Sequence, residues 1–273
     1  MVNNMIVNRI FPLHKDKYLN TKPKATQFGE KIDQLGLIQL FGVWVLTVSG
    51  IVLNNGLKDR FTYWEWSDWT IGLVKLFIVS MIFIYGIKKN SLWKIGQKTL
   101  SQGELLSVMG IGLLFFYFGN LSFTNFSFEL VRGVPYLLLF IGVIHLYQIP
   151  IVLNKDIGDW FVSDWSSKIS AMLISIGLMS IGVFIGFSLD DPVISTAGMV
   201  AIPFPIIALI WPNHVRHIQR ARFYPLFIFA MFLCVRAPWF LIPLALLFYF
   251  LRTLNYFRYG ITYPSFGVNL DDI

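Results

Sequence analysis

The hydrophobic positions of this chain form long unbroken runs that are separated by short polar segments. Six windows of mostly apolar residues are each about 20 residues long, and a helix of that length spans a hydrocarbon core roughly 30 Å thick. The pattern therefore predicts six membrane-spanning helices. The windows are 35–54, 70–87, 104–122, 133–153, 168–189 and 193–211.

A seventh apolar block, 223–252, is longer than one membrane crossing and is interrupted by Arg236, Pro238 and Pro243. A proline lacks the backbone N–H and pushes the residue before it away from helical geometry. We therefore predict a C-terminal helical hairpin that turns at Cys234–Pro238, which gives seven to eight transmembrane segments in all. A single long kinked helix is the alternative.

The composition also indicates membrane helices. Of the 273 residues, 56% are hydrophobic and 14% are charged, whereas about 25% of the residues in a soluble domain are charged. A transmembrane β-barrel would show segments of about 10 residues with alternating polarity, but runs such as Leu137–Val143 are apolar throughout. The expected fold class is all-α, a polytopic transmembrane helical bundle.

Basic residues are distributed unevenly between the polar segments. Most of the 22 Lys and Arg residues lie in segments that fall on one side of the membrane, whereas the opposite loops carry Lys58, Arg60 and Arg132. The positive-inside rule makes the richer side cytoplasmic. We therefore predict a cytoplasmic N-terminus and an even number of crossings. The charge bias fits a bacterial inner (plasma) membrane.

This topology divides the chain into three predicted parts. They are a basic cytoplasmic N-terminal arm (1–34), a transmembrane helical domain (35–252) and a cytoplasmic C-terminal tail (253–273). The lysines of the arm would be attracted to anionic lipid headgroups at the cytoplasmic face. The expected partners are the lipid bilayer and other membrane protein subunits, and no nucleic acid.

Two cations, Lys75 and Arg236, fall inside the apolar blocks. Charges at membrane depth usually face the interior of a bundle or a water-filled cavity and mark a functional site. Lys75 could instead extend back to the interface, and Arg236 at the hairpin tip could have a structural role. Both are candidate ligand- or anion-binding residues.

A segment rich in histidine and arginine follows the sixth window. Two of its histidines share one helical face and could supply two metal ligands, but a metal site needs at least one more. The arginines could bind lipid phosphate or another anion. We expect no metal and no cofactor, and the alternative is a positive-inside loop without a ligand. The candidate anion-binding residues are His214, Arg216, His217, Arg220 and Arg222.

Two sequence patterns concern helix packing. Gly182 and Gly186 have the GxxxG spacing that lets two membrane helices approach closely. Ser67-Asp68-Trp69 and Ser163-Asp164-Trp165 precede the second and fifth windows, which run in opposite directions in the predicted topology. Inverted units are typical of transporters, but helix caps and interfacial tryptophans can produce the same tripeptide independently.

Several enzyme classes are excluded because their motifs are absent. The sequence contains no P-loop, no HExxH and no GxSxG, and the single cysteine, Cys234, rules out a disulfide framework within the chain. We therefore predict a non-catalytic membrane subunit of a larger assembly. A small transporter or channel for an anionic substrate is the alternative, and a lipid-active membrane enzyme is a weaker one.

Overall fold

The protein is an all-α membrane protein in the computed structural model. The structure describes residues 5–56, 66, 68–89, 92–93, 95, 99–121, 130–149, 151–154, 159–162, 166–212 and 214–260. Its helices are α1 (Ile6–Ile10), α2 (Asp16–Leu35), α3 (Leu37–Gly56), α4 (Trp69–Met81, continued by a π-helical segment, Ile82–Lys88), α5 (Gln102–Asn120), α6 (Leu130–Tyr147), α7 (Ser166–Ser188), α8 (Pro192–Ala201), α9 (Pro203–Ile210), α10 (Val215–Arg236) and α11 (Leu241–Tyr259). Two short strands, β1 (Ile151–Asn154) and β2 (Asp159–Val162), pair between α6 and α7.

The predicted membrane-spanning helices are confirmed. Within the described ranges, six helical segments are long and apolar enough to cross a membrane, and two shorter apolar segments, Gln39–Asn54 and Val131–Tyr147, coincide with the first and fourth predicted windows. The chain is therefore an integral multi-pass membrane protein. The six long segments are Trp69–Lys88, Gln102–Asn120, Lys168–Ser188, Pro192–Ile210, Val215–Arg236 and Pro238–Tyr259.

The last apolar block consists of two helices, so the alternative of one long kinked helix is wrong. Helix α10 ends at Arg236, and Ala237 leaves helical geometry with φ −131° and ψ 71°. The cause is Pro238, which disfavours a helical conformation at the preceding residue. A short 3₁₀ turn, Pro238–Phe240, then leads into α11.

The two prolines of the sixth window do not end the membrane-spanning segment. Pro203 separates α8 from α9, but Ile202 between them keeps right-handed helical angles, φ −55° and ψ −39°. The amide of Ile206 still donates to the carbonyl oxygen of Ile202 at 3.4 Å. The segment therefore remains one membrane crossing.

Helix α3 is enclosed by protein on nearly all sides. Every residue from Leu40 to Leu53 except Trp44 is buried, as expected for a helix that is hydrophobic all round. Its Gly50 lies directly against the backbone of α5, because a Cβ at this position would overlap the Phe116 carbonyl oxygen and lie 2.6 Å from the Asn120 amide nitrogen. Backbone contact of this kind is possible only for glycine.

The chain separates into two compact units. One comprises the described residues within Met1–Leu37, Leu153–Trp160 and Ile242–Ile273, and the other those within Ile38–Val152 and Phe161–Leu241. In the first unit α1 and α2 pack on the last turn of α11. The buried residues of this cluster are Met5, Val7, Tyr18, Tyr256 and Phe257.

The division into an arm, a membrane domain and a tail remains a prediction. The described part of residues 1–34 is mainly helical, and α11 continues beyond residue 252 to Tyr259. Residues 261–273 of the predicted tail lie outside the described part of the chain.

Candidate functional site

Lys75 binds the carboxyl end of a neighbouring helix. Its Nζ donates hydrogen bonds to the carbonyl oxygens of Gly119 and Leu121, both at 2.7 Å. Helix α5 ends at Asn120, and the last carbonyls of a helix have no partner within it. An ammonium group also interacts favourably with the negative end of the helix dipole. Lys75 therefore caps α5 from α4.

Local geometry brings the lysine to this position. Asp68 precedes α4 in a left-handed conformation, φ 55°, and its carboxylate lies within electrostatic range of Lys75. On the other side Gly119 touches the Thr47 backbone so closely that a Cβ would overlap the Thr47 carbonyl oxygen. The end of α5 is thus held between α3 and the Lys75 ammonium group.

A second polar cluster joins α6, α8 and α10. The hydroxyl of Tyr136 donates to Oδ2 of Asp191 at 2.6 Å, and both side chains are buried. Arg236, the last residue of α10, lies close enough to interact electrostatically with Tyr136. The cluster therefore combines one carboxylate, one phenol and one guanidinium, and the carboxylate and guanidinium carry opposite charges.

Asp191 is held in place by the start of α8. Its Oδ1 accepts hydrogen bonds from the amides of Val193 at 3.0 Å and Ile194 at 3.3 Å, which makes it the N-cap. Pro192 follows at the first helical position, where a missing N–H has no cost. Each carboxylate oxygen of Asp191 thus has at least one donor from the chain itself.

Arg236 is a candidate residue from the sequence, whereas Tyr136 and Asp191 are not. Asp191 followed by Pro192 and an apolar run is a helix-start signal that could have identified the N-cap. Nothing in the sequence marks Tyr136 among the 11 tyrosines. Its role depends on a contact between helices that are distant in the chain.

The segment rich in histidine and arginine is divided between two faces of α10. The rings of His214 and His217 lie 4.7 Å apart, and Arg216 and Arg220 share a face because they are four residues apart. Arg222 lies elsewhere, with its guanidinium 4.8 Å from the ring centroid of Tyr147 on α6. The structure therefore does not gather the five candidates into one site.

The histidine pair has no third metal ligand among the described side chains. Within that part of the chain, no group of three or more His, Cys, Asp or Glu residues is placed to hold a metal ion. The second Ser-Asp-Trp tripeptide lies outside the described residues.

Gly182 and Gly186 both contact neighbouring helices of the same chain. A Cβ at Gly182 would lie 3.1 Å from the Pro135 carbonyl oxygen of α6, and a Cβ at Gly186 would lie 2.7 Å from Ile194 Cγ2 of α8. The two glycines therefore place α7 close to both helices.

A further hydrogen-bonded group, not singled out in the sequence, lies at the opposite end of α4 from Lys75. Nζ of Lys88 donates to Oε1 of Gln39 at 2.8 Å, and Nε2 of Gln39 donates to the Ile95 carbonyl oxygen at 2.8 Å. The side chains of Lys75 and Lys88 thus each fasten one end of the Trp69–Lys88 segment to other helices or loops of the chain.

Comparison with protein-family models, with curated proteins and with solved structures finds no match to this chain.

Proposed function

We propose that this chain is a non-catalytic subunit of a larger membrane assembly, inserted in a bacterial inner membrane with its N-terminus in the cytoplasm. The observation that carries the proposal is a pair of glycines at membrane depth, Gly110 on α5 and Gly177 on α7. Apart from the adjacent backbone of its own helix and its two chain neighbours, no described atom lies within 4 Å of a Cβ built at either position. Both glycines therefore face lipid or another protein.

Glycine at these positions has no packing role that the described contacts explain. In a helix interior it costs about 1 kcal/mol relative to alanine. In membrane helices small residues allow a second backbone to approach closely, which strengthens van der Waals packing between helices. Gly72 and Gly112, by contrast, lie against Trp239 and Phe140 of this chain. Gly110 and Gly177 fit the contact points of a partner helix.

The surroundings of the open glycines have the composition of such a surface. Leu106 and Leu114 lie one turn to either side of Gly110, and both are exposed. Leu173 and Ile181 lie one turn to either side of Gly177, and they are exposed as well. A small residue between two large apolar ones forms a notch in the helix surface. A partner helix could place its backbone over each notch.

The membrane-depth cations support a subunit over a transporter. Lys75 caps α5, and Arg236 lies within electrostatic range of Tyr136. Near the start of α10, Arg222 stacks on Tyr147. Each side chain is thus engaged by groups of its own chain. Their positions are explained by helix packing without a substrate.

The experiment is affinity purification of the tagged chain from its native membrane in mild detergent, followed by mass spectrometry. We expect stoichiometric partners that are lost from Gly110→Leu and Gly177→Leu variants. Ala245→Leu is the matched control, since it adds the same side chain at an exposed position of α11 and should retain the partners. A wild-type chain that purifies alone would refute the proposal.

Transport of a small anion is the second candidate. The observation that favours it is a polar cluster in which the buried side chains of Tyr136 and Asp191 lie with the half-buried Arg236, next to the segment that begins at Pro192. Ionisable groups inside a membrane protein often mark an ion pathway. Anion flux into vesicles that contain only this chain, abolished by Arg236→Gln, would support transport in place of the subunit role.

A further inference from the structure

Helix α2 is held at the level where α11 leaves the membrane. The Tyr18 hydroxyl donates to the carbonyl oxygens of Tyr256 and Phe257 at 3.3 and 3.2 Å. Tyr256 and Phe257 lie in the last turns of the Pro238–Tyr259 span. Tyrosine in that position is typical of a membrane–water interface. The contacts therefore keep α2 close to the lipid headgroups of one leaflet.

A second contact shows which flank of α2 faces the bilayer. The ring of Phe28 meets the ring of Phe250 edge-on, with centroids 6.1 Å apart. Phe250 precedes Tyr256 by six residues, which is about 9 Å along the helix axis towards the membrane interior. Phe28 is half exposed. Its flank of α2 therefore lies beside the membrane-spanning part of α11 and remains open, and we infer that this is the flank that meets lipid.

Basic residues follow this flank at a regular spacing. Positions 17, 21, 24, 28 and 31 are separated by alternating steps of four and three residues, so they form one stripe along the helix. The lysines of the stripe are all exposed, and Phe28 lies between two of them. We define the basic stripe by these residues: Lys17, Thr21, Lys24, Phe28 and Lys31.

The opposite flank of α2 has a different character. Asp16 and Glu30, the acidic residues of α2 whose side chains are described, lie there together with Leu19 and the exposed Lys22, so positive charge on this flank is offset by two carboxylates. Positive charge next to one aromatic anchor on a single flank is the pattern of a helix that lies on an anionic membrane surface. A lysine can also extend its ammonium group to headgroups while its methylene stem contacts apolar surface.

We propose that the basic stripe of α2 binds the anionic headgroups of the leaflet at which α11 ends. The ligand is the phosphate of an acidic phospholipid, recognised by charge, with Phe28 inserted at the acyl boundary. The docking of Tyr18 on α11 presents the stripe at the correct depth. This surface is independent of the open glycines and does not require a partner protein.

The test uses the full chain reconstituted into bilayers of phosphatidylcholine, with or without phosphatidylglycerol. Cys234 is buried and is replaced by alanine. An environment-sensitive fluorophore is attached to Thr21→Cys on the stripe or to Leu19→Cys on the opposite flank. We expect blue-shifted emission and quenching by brominated lipid at position 21 in anionic bilayers, reversed by salt. Position 19 should report water in both bilayers.

Matched charge variants distinguish binding by the basic stripe from a general attraction between the positively charged α2 and the anionic bilayer. Lys24→Gln with Lys31→Gln should weaken the preference for anionic bilayers about fivefold for each lysine. Lys15→Gln with Lys22→Gln removes the same charge outside the stripe and should have a smaller effect. Both pairs retain Tyr18, and equal helical content by circular dichroism would show that both fold.

Two results would overturn the proposal. One is identical behaviour of the probe at position 21 in neutral and anionic bilayers, or equal effects of the two charge variants. The other is a probe that is shielded in native membranes but reports water in both purified bilayers, which would assign the stripe to a protein partner.

Discussion

Lys75 on α4 donates a hydrogen bond from its ammonium group to the Gly119 carbonyl oxygen on α5 at 2.7 Å, and a second of the same length to Leu121. Hydrogen bonds that involve a charged group contribute about 1.5–3 kcal/mol each. We expect Lys75→Met, which keeps the length of the side chain, to lower the free energy of unfolding by about 3 kcal/mol, the lower end for two such bonds. Thermal unfolding in mild detergent measures the loss.

The control for Lys75 is Lys89→Met, because Lys89 is exposed beyond the end of the same segment. It should unfold at the wild-type temperature. If Lys75→Met were as stable as the wild type but had lost binding of an anion, Lys75 would be a ligand residue and its capping role would be wrong.

The bond between Tyr136 and Asp191 should be measurable by a double-mutant cycle. We expect Tyr136→Phe and Asp191→Asn each to destabilise the protein, with a coupling free energy of about 1.5–3 kcal/mol because the acceptor is charged and both groups are buried. Chemical denaturation of the two single variants and the double variant gives the coupling.

Tyr249→Phe is the matched control for the cycle, since this tyrosine lies exposed on α11. The same substitution there should leave the stability nearly unchanged. Strict additivity of the Tyr136 and Asp191 variants would mean that the 2.6 Å contact contributes nothing to folding.

The glycines of the chain should differ sharply in their tolerance of alanine. Gly50→Ala would place a methyl group 2.6 Å from the Asn120 amide nitrogen, so α3 and α5 would have to separate along their contact. We expect this variant to lose the folded state or several kcal/mol, roughly the cost of severe overpacking. Yield of monodisperse protein in size-exclusion chromatography reports it.

Gly177→Ala provides the comparison, because the open side of α7 accommodates the methyl group. The purified chain should fold and gain up to about 1 kcal/mol from the higher helix propensity of alanine. Equal yields of the Gly50 and Gly177 variants would contradict the close approach of α3 and α5.

The membrane spans could be predicted from the sequence because apolar length is a local property. The first window, 35–54, corresponds to α3 at Leu37–Gly56, and Pro238 located the break in the last block. The enclosure of α3 could not be predicted. Its residues are as apolar as those of the lipid-facing helices. Gly50 is required only because the α5 backbone lies against it, and that contact is not visible in the sequence.

The candidate site shows the same division. Lys75 and Arg236 were identified because a charge at membrane depth is costly and needs a partner. Their partners could not be predicted, because every residue has a backbone carbonyl and the sequence does not show that the one of Gly119 is the acceptor. The helical arrangement of residues 214–222 was also considered from sequence, but the stacking of Arg222 on Tyr147 depends on the position of α6.

The docking of α2 on α11 should weaken at alkaline pH. Burial raises the pKa of the Tyr18 hydroxyl above its ordinary value of 10.0. The protonated phenol is the form that donates to the carbonyl oxygens of Tyr256 and Phe257, so ionisation removes the donor and leaves a charge beside two acceptors. A raised pKa means that this contribution is complete below about pH 10 and is lost as the pH rises through the pKa of the folded state.

A fluorophore at Thr21→Cys on the basic stripe, whose depth depends on the docking of Tyr18, should therefore show an alkaline transition as α2 separates from α11. Tyr18→Phe cannot ionise and should lack that transition, although it starts from weaker docking. Tyr256 also faces Tyr18, with ring centroids 5.4 Å apart, and Tyr18→Phe leaves it in place. A transition that persists unchanged in Tyr18→Phe would therefore show that the Tyr18 hydroxyl does not cause it.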